Sequence, residues 1–125
     1  MNTWLWVALG SALGAPTRYL LDHLIQSRHE RTFPWGTFTI NVTGSFLLGL
    51  LVAAGSHHQV EDWLLAAAGI GFLGSYTTFS TFTWESLRLI EDGSLLVAIL
   101  NLTASLATGA TVAAAGLLLG DLLSK

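Results

Sequence analysis

The sequence predicts an all-α integral membrane fold with four transmembrane helices per subunit, the third of them broken mid-membrane. Three observations carry that prediction. Charged residues make up 10% of the 125-residue chain and hydrophobic ones 52%, with a mean hydropathy of +0.60, whereas an average soluble domain is roughly 25% charged. The apolar chain is interrupted by only three short polar stretches, at 22–34, 55–62 and 91–94, which leave four segments long enough to cross a bilayer at about 20 residues each. Finally, the stretch Gly69–Glu85, GIGFLGSYTTFSTFTWE, crowds glycines and hydroxyls into an otherwise apolar segment.

With four spans in 125 residues, little chain is left for loops, so residues 1–125 form one transmembrane domain. The chain has no cysteine, which removes disulfides and thiolate metal sites. A formal net charge of −3 without a basic stripe argues against a nucleic-acid partner. The N-terminus MNTWLWVALG carries no positive charge ahead of its apolar run, so it reads as a first membrane span rather than a signal peptide.

The first span is expected over about 4–21. Trp4 and Trp6 suit the headgroup level, and Gly10 and Gly14 stand four apart, the spacing that lets two helix backbones approach. Arg18 near its end either snorkels and pairs with Asp22 or supplies positive potential at the mouth of an anion pathway. Residues 22–34, with His23, Arg28, His29, Glu30 and Arg31, read as a solvated loop. The second span, about 35–54, sets Thr37, Asn41 and Ser45 at four-residue steps, a polar strip on one face. Asn41 dominates it, because an unpartnered amide in hydrocarbon costs several kcal/mol and must face a helix, a cavity or an ion.

After the polar turn 55–62, the third span is expected over about 63–90, with a break near 69–77. Gly69, Gly71 and Gly74 make a continuous helix costly there. A break at bilayer depth is tolerated only where the freed backbone groups are buried in protein, line water or bind an ion. Beyond it, helical spacing puts Thr77, Ser80, Thr81 and Glu85 on one face and Phe79 and Phe82 on a neighbouring one. His57 and His58 are adjacent in a turn and do not converge on one metal. The fourth span, about 95–119, repeats the polar strip with Asn101, Ser105 and Thr108, and the small-residue spacing with Gly116 and Gly120. Positive residues are too few to fix an orientation: Arg28, Arg31 and Arg88 lie on one side and Lys125 on the other, so the chain is able to insert both ways.

Three spans thus offer neutral hydrogen-bond donors, while carboxylates sit only near span ends, at Asp22 and Glu85. That inventory favours a small anion over a cation or a proton-coupled cycle. Asn41 has two N–H groups and each Ser or Thr one O–H, and the positive ring edges of Phe79 and Phe82 add to them.

The segments Gly36-Thr37-Phe38-x-x-Asn41-x-x-Gly44-Ser45-Phe46 and Gly71-x-x-Gly74-x-x-Thr77-Thr78-Phe79-Ser80-Thr81-Phe82, together with Gly10 to Arg18, are similar to the signatures of the Fluc (CrcB) fluoride channel family. The resemblance covers nearly the whole chain. Ser11, Leu73 and Ser75 depart from the usual residues of the first and third signatures. It implies a passive, non-enzymatic fluoride channel of a prokaryotic cytoplasmic membrane, built as an antiparallel dual-topology homodimer with two pores. By position, Asn41, Phe79 and Phe82 would line the pore, and Ser80, Thr81 and Ser105 a polar track beside it. Thr37 would sit near a vestibule, with Arg18 and Glu85 as neighbours. The backbone carbonyls of Gly74 and Thr77 would hold a structural sodium ion, and Gly109 falls where some members have serine.

Two other readings differ in class. A small proton-coupled multidrug exporter needs a titratable carboxylate within the membrane, normally in the first span, where this chain has Arg18. In a non-transporting assembly subunit the polar strips would serve only as glue between helices. A dimer is expected on physical grounds as well, since one four-helix subunit has too few partners to cover a polar strip and a helix break.

Overall fold

The computed structural model describes residues 2–29 and 32–124, all helix and short connections, with no strand among the described residues. Glu30 and Arg31 of the polar loop, and Lys125 of the charge count, lie outside the described residues. Helix α1 spans Thr3–Gln26 and α2 Trp35–Ser56. An α-turn Asp62–Leu64, a π-helical stretch Leu65–Leu73 and a further turn Gly74–Tyr76 follow one another without a gap and together make α3. Helix α4 spans Phe79–Glu91 and α5 Leu95–Leu123.

The bundle is apolar on its outside. Leu13, Tyr19, Ile70, Leu96, Leu106 and Leu122 are among the many large hydrophobic side chains left exposed, while Thr37, Thr78, Ser86 and Asn101 are buried. In water such a surface would be an aggregation liability; in hydrocarbon it is the expected exterior. Helices α2 and α5 are long and apolar enough to cross a membrane by length and composition.

Without water to drive helices together, close packing of small residues has to do it, and both principal helix pairs use glycine for the purpose. Between α2 and α5, a Cβ on Gly49 would overlap the Ala113 carbonyl oxygen, and one on Gly116 the Phe46 carbonyl oxygen. Between α1 and α3, a Cβ on Gly10 would overlap the Ala67 carbonyl oxygen, and one on Gly71 would come within 2.6 Å of the Val7 carbonyl oxygen. Ser11 Oγ donates to the Gly71 carbonyl at 3.2 Å, so this contact is a backbone seam with its polar groups joined across it.

Two details depart from the sequence expectations. Residues 22–26 belong to α1 and not to the loop. Gln26 accounts for this: its Nε2 donates to the Phe33 carbonyl and its Oε1 accepts from Gly36 N–H, both at 3.2 Å, tying the helix end to the start of α2. The glycines, moreover, do not interrupt α3. Residues 65–73 absorb them in wide π turns, a form found mainly at functional sites. The extended residues are Thr77 (φ −74°, ψ 156°) and Thr78 (φ −147°, ψ 122°), at the end of the glycine stretch.

Candidate functional site

The interruption at Thr77–Thr78 exists because two side chains outbid the helix for its hydrogen bonds. In a continuous α-helix Thr78 N–H would serve the Gly74 carbonyl and Thr81 N–H the Thr77 carbonyl. Here Thr78 N–H donates instead to Asn41 Oδ1 at 2.8 Å, and Asn41 Nδ2 donates back to the Thr78 carbonyl at 2.9 Å. The amide of Asn41 thus pairs with Thr78 as a neighbouring strand would. Thr81 N–H goes to Thr78 Oγ1 at 3.2 Å, an N-cap that starts α4. The carbonyls of Gly74 and Thr77 have therefore lost their usual helical donors.

Beside this junction lies a cavity of about 400 Å³ between α2, α4 and α5, lined in part by Asn41, Ser45, Thr77, Thr78, Phe79, Phe82 and Ser105. Among the described residues no charged one lines it. Its polar wall consists of hydroxyls, an amide and the first turn of α4, where backbone N–H groups lack helical acceptors and the helix dipole is positive. Phe82 is buried at 5% exposure and Phe79 stands out at 73%, their ring centroids 5.8 Å apart and tilted by 48°. One ring is thus fixed inside the subunit, and the other faces outward.

A second chamber, about 200 Å³ and more enclosed, is lined by Arg18, Tyr19, Asp22, Thr37, Ile40, Thr78 and Thr81. Thr78 belongs to both spaces. From the second chamber Thr37, buried at 2% exposure, donates through Oγ1 to Glu85 Oε1 at 2.9 Å. Glu85 in turn lines an open mouth of about 460 Å³ with His23, Trp84, Arg88 and Asp92. Its second carboxylate oxygen is buried with no hydrogen-bond partner among the described residues. Arg88 sits over the Trp84 ring at 5.5 Å and reaches Glu91 at 3.5 Å.

The residues named from sequence therefore fall into three groups. Asn41, Phe79, Phe82 and Ser105 meet at the first cavity together with Thr77, and Arg18, Thr37 and Thr81 at the second. Glu85 faces the mouth. Ser80 joins neither cavity wall: it is exposed, 3.4 Å from Thr78 Oγ1. Gly74 is exposed too, and a Cβ there would meet only the Gly69 carbonyl oxygen, at an ordinary 3.7 Å. Thr78 is the residue that sequence reasoning passed over, although it connects everything else. Its signal was position, since it opens the T-x-x-T pattern that caps α4.

Residues 5–117 match the family model described as CrcB-like protein, Camphor Resistance (CrcB). A protein named fluoride-specific ion channel FluC 1 from Streptomyces avermitilis is 48% identical, the match covering 90% of this chain and 91% of the relative. Another of that name from Frankia casuarinae is 45% identical over 90% of this chain and 92% of its own. Fluoride-specific ion channel FluC from Acidobacterium capsulatum is 44% identical over 94% and 95%. These are names of channels and not of catalysts. With its bilayer-suited exterior and a match running over nearly its whole length, the chain is a membrane protein that belongs to the CrcB-like family.

Proposed function

We propose that this chain forms a passive fluoride-selective channel of a prokaryotic cytoplasmic membrane, letting accumulated fluoride leave the cell. The observation that carries the reading is the Asn41–Thr78 pairing, which interrupts the helix at Thr77–Thr78 beside an uncharged, largely apolar cavity where the Asn41 amide and the Ser45 and Ser105 hydroxyls supply the polar groups. A small anion shedding water there meets N–H and O–H groups and, at Phe82, an aromatic ring with a positive edge. The route runs from that cavity past Thr78 into the chamber of Arg18, Thr37 and Thr81, and along Glu85 to the mouth.

The working unit is an antiparallel dual-topology homodimer with two pores. The exposure of Phe79 and Gly74 supports this, because a ring wanted in a pore and a backbone face free of side chains both need a second copy to enclose them. The interruption of the third span would then lie at mid-membrane, covered by protein. A structural sodium ion at the dimer centre fits the Gly74 and Thr77 carbonyls, whose helical donors are taken by Asn41 and Thr78. Two such carbonyls from each copy would supply the hard oxygen ligands such a cation needs.

The test is fluoride release from liposomes holding the purified protein, followed with a fluoride electrode. Rapid fluoride release without chloride movement is expected, and Phe82→Ile should slow it severely while leaving the dimer intact on size exclusion. Equal chloride and fluoride flux would sink the selectivity. One observation favours a proton-coupled exporter, namely the buried carboxylate oxygen of Glu85. That reading requires transport driven by a proton gradient, and fluoride release that runs at the same rate with the gradient collapsed excludes it.

A further inference from the structure

We propose that Asn101 is a positioning residue for the conduction cavity, setting the Ser105 hydroxyl on α5 and the Phe82 turn on α4 relative to one another; this rests on the channel reading above. Asn101 is 1% exposed and lines neither cavity nor mouth. Its Nδ2 donates to Ser86 Oγ at 3.0 Å, and Ser86, itself buried, donates its hydroxyl to the Phe82 carbonyl at 2.8 Å. On the other side Ser105 Oγ donates to Asn101 Oδ1 at 3.3 Å. The proton count orders this chain. Ser86 spends its only hydrogen on Phe82, so it must accept from Asn101, which fixes the amide with Nδ2 toward Ser86 and Oδ1 toward Ser105.

One buried amide therefore joins two walls of the cavity. Helix α4 otherwise meets α5 and α2 over a limited contact, so this bridge is a main determinant of how far Phe82 stands from Ser105. It also decides what Ser105 presents to the cavity. While its hydrogen points at Asn101 Oδ1, an anion faces the oxygen lone pairs; at 3.3 Å that bond is long, so an entering anion is able to draw the hydrogen to itself. Asn101 Oδ1 thereby holds the Ser105 hydrogen when no anion is present, without competing strongly for it.

The experiment combines Asn101→Ala, Ser86→Ala and the double variant in liposome efflux and in thermal unfolding of the detergent-solubilised protein. Ala98→Val, a change at a fully buried position one turn earlier on α5, serves as the packing control. Asn101→Ala should slow fluoride release about tenfold, the loss of one positioning interaction worth about 1.4 kcal/mol in the barrier, and should narrow the discrimination against chloride. Ser86→Ala should do the same to a smaller degree, and the double variant should be no worse than Asn101→Ala alone. Ala98→Val should lower the unfolding temperature but leave release per dimer and discrimination unchanged. Wild-type flux and discrimination in Asn101→Ala would overturn the proposal, as would additive losses in the double variant. A wild-type protein that releases no fluoride would instead overturn the channel reading itself.

Discussion

The two arms of the third span are built on opposite principles, although only Thr77 and Thr78 separate them. The arm α3 lies against α1 backbone to backbone, with glycine at each closest approach and the Ser11 and Ser75 hydroxyls donating across to the Gly71 and Ser11 carbonyls. On that face it has no room to spare, while its other side borders an apolar groove of about 490 Å³ shared with Leu48, Leu51 and Val52 of α2. The arm α4 carries large side chains, touches its neighbours sparingly and is bordered by the cavity, the chamber and the mouth. In a bundle surrounded by lipid, tightness has to come from small residues because apolar side chains gain little by meeting one another. Space for an ion then opens where the small residues stop and hydroxyls begin. The first arm holds the second in place, and in the proposed channel the second faces the ion.

The sharpest test of that contrast places the same side chain in the two environments. Gly10→Ser puts a Cβ into the Ala67 carbonyl oxygen, an obstacle made of backbone and not of a side chain tip. The α1–α3 seam must then open. Overpacking typically costs 1–3 kcal/mol, and a backbone obstacle puts this variant at about 3 kcal/mol or beyond. Loss of monodisperse protein and of all fluoride release is expected, read by size exclusion and electrode. A Gly10→Ser protein that unfolds at the wild-type temperature would mean that the seam is not the tight region it is described as here.

The junction between the arms comes next in expected effect. Asn41→Leu removes both bonds to Thr78, leaving its buried N–H unserved and its carbonyl, which still accepts the first helical bond of α4, one donor short. A buried polar group stranded in this way costs about 1–3 kcal/mol. The two losses together make the wild-type junction unsustainable, and Thr78 N–H would return to the Gly74 carbonyl as the helix closes over the break. Since each 1.4 kcal/mol is tenfold, fluoride release should fall about 100-fold. The dimer should survive, because the α1–α3 and α2–α5 seams are untouched. Unchanged release would show that Thr78 is held extended by something other than Asn41.

That junction also marks where sequence stopped being legible. The starts of α2 and α5 follow from local signals, Pro34 ahead of Trp35 and the Asp92-Gly93-Ser94 turn ahead of Leu95. Gly10 and Gly14 declare a close helix contact by their spacing alone. The location of the break does not follow from local composition. Propensity assigns its cost to Gly69, Gly71 and Gly74, whereas the structure keeps those residues helical and gives way at two threonines. The deciding group, the Asn41 amide, lies 37 positions away in sequence and wins by tertiary contact. The strip of Asn101 and Ser105 was likewise visible as a strip, but the bond from Asn101 to Ser86 needed the packing of α4 on α5. Ser80 is the reverse case: its spacing groups it with Thr81 and Glu85, but in the helix that restarts after Thr78 the pair four apart is Thr81 and Glu85, and Ser80, one step round from Thr81, is turned outward.

The smallest effect expected is the counterpart of the first substitution. Gly109 lies on the wall of the donor-lined cavity, and a Cβ there meets nothing closer than Ser45 Oγ at 3.8 Å, an ordinary contact. Gly109→Ser adds a hydroxyl beside Ser45 and Ser105 without moving a neighbour. It also replaces the poorest non-proline helix former inside α5 by a better one, worth a few tenths of a kcal/mol. The unfolding temperature should hold or rise slightly, and fluoride release should stay within about threefold of the parent, well under 1 kcal/mol in barrier. Chloride should remain excluded, since the added group is another neutral donor. A loss of folded protein as large as that at Gly10 would mean that the cavity wall is as closely packed as the α1–α3 seam, and the division of the third span into a clamped arm and an open one would fail.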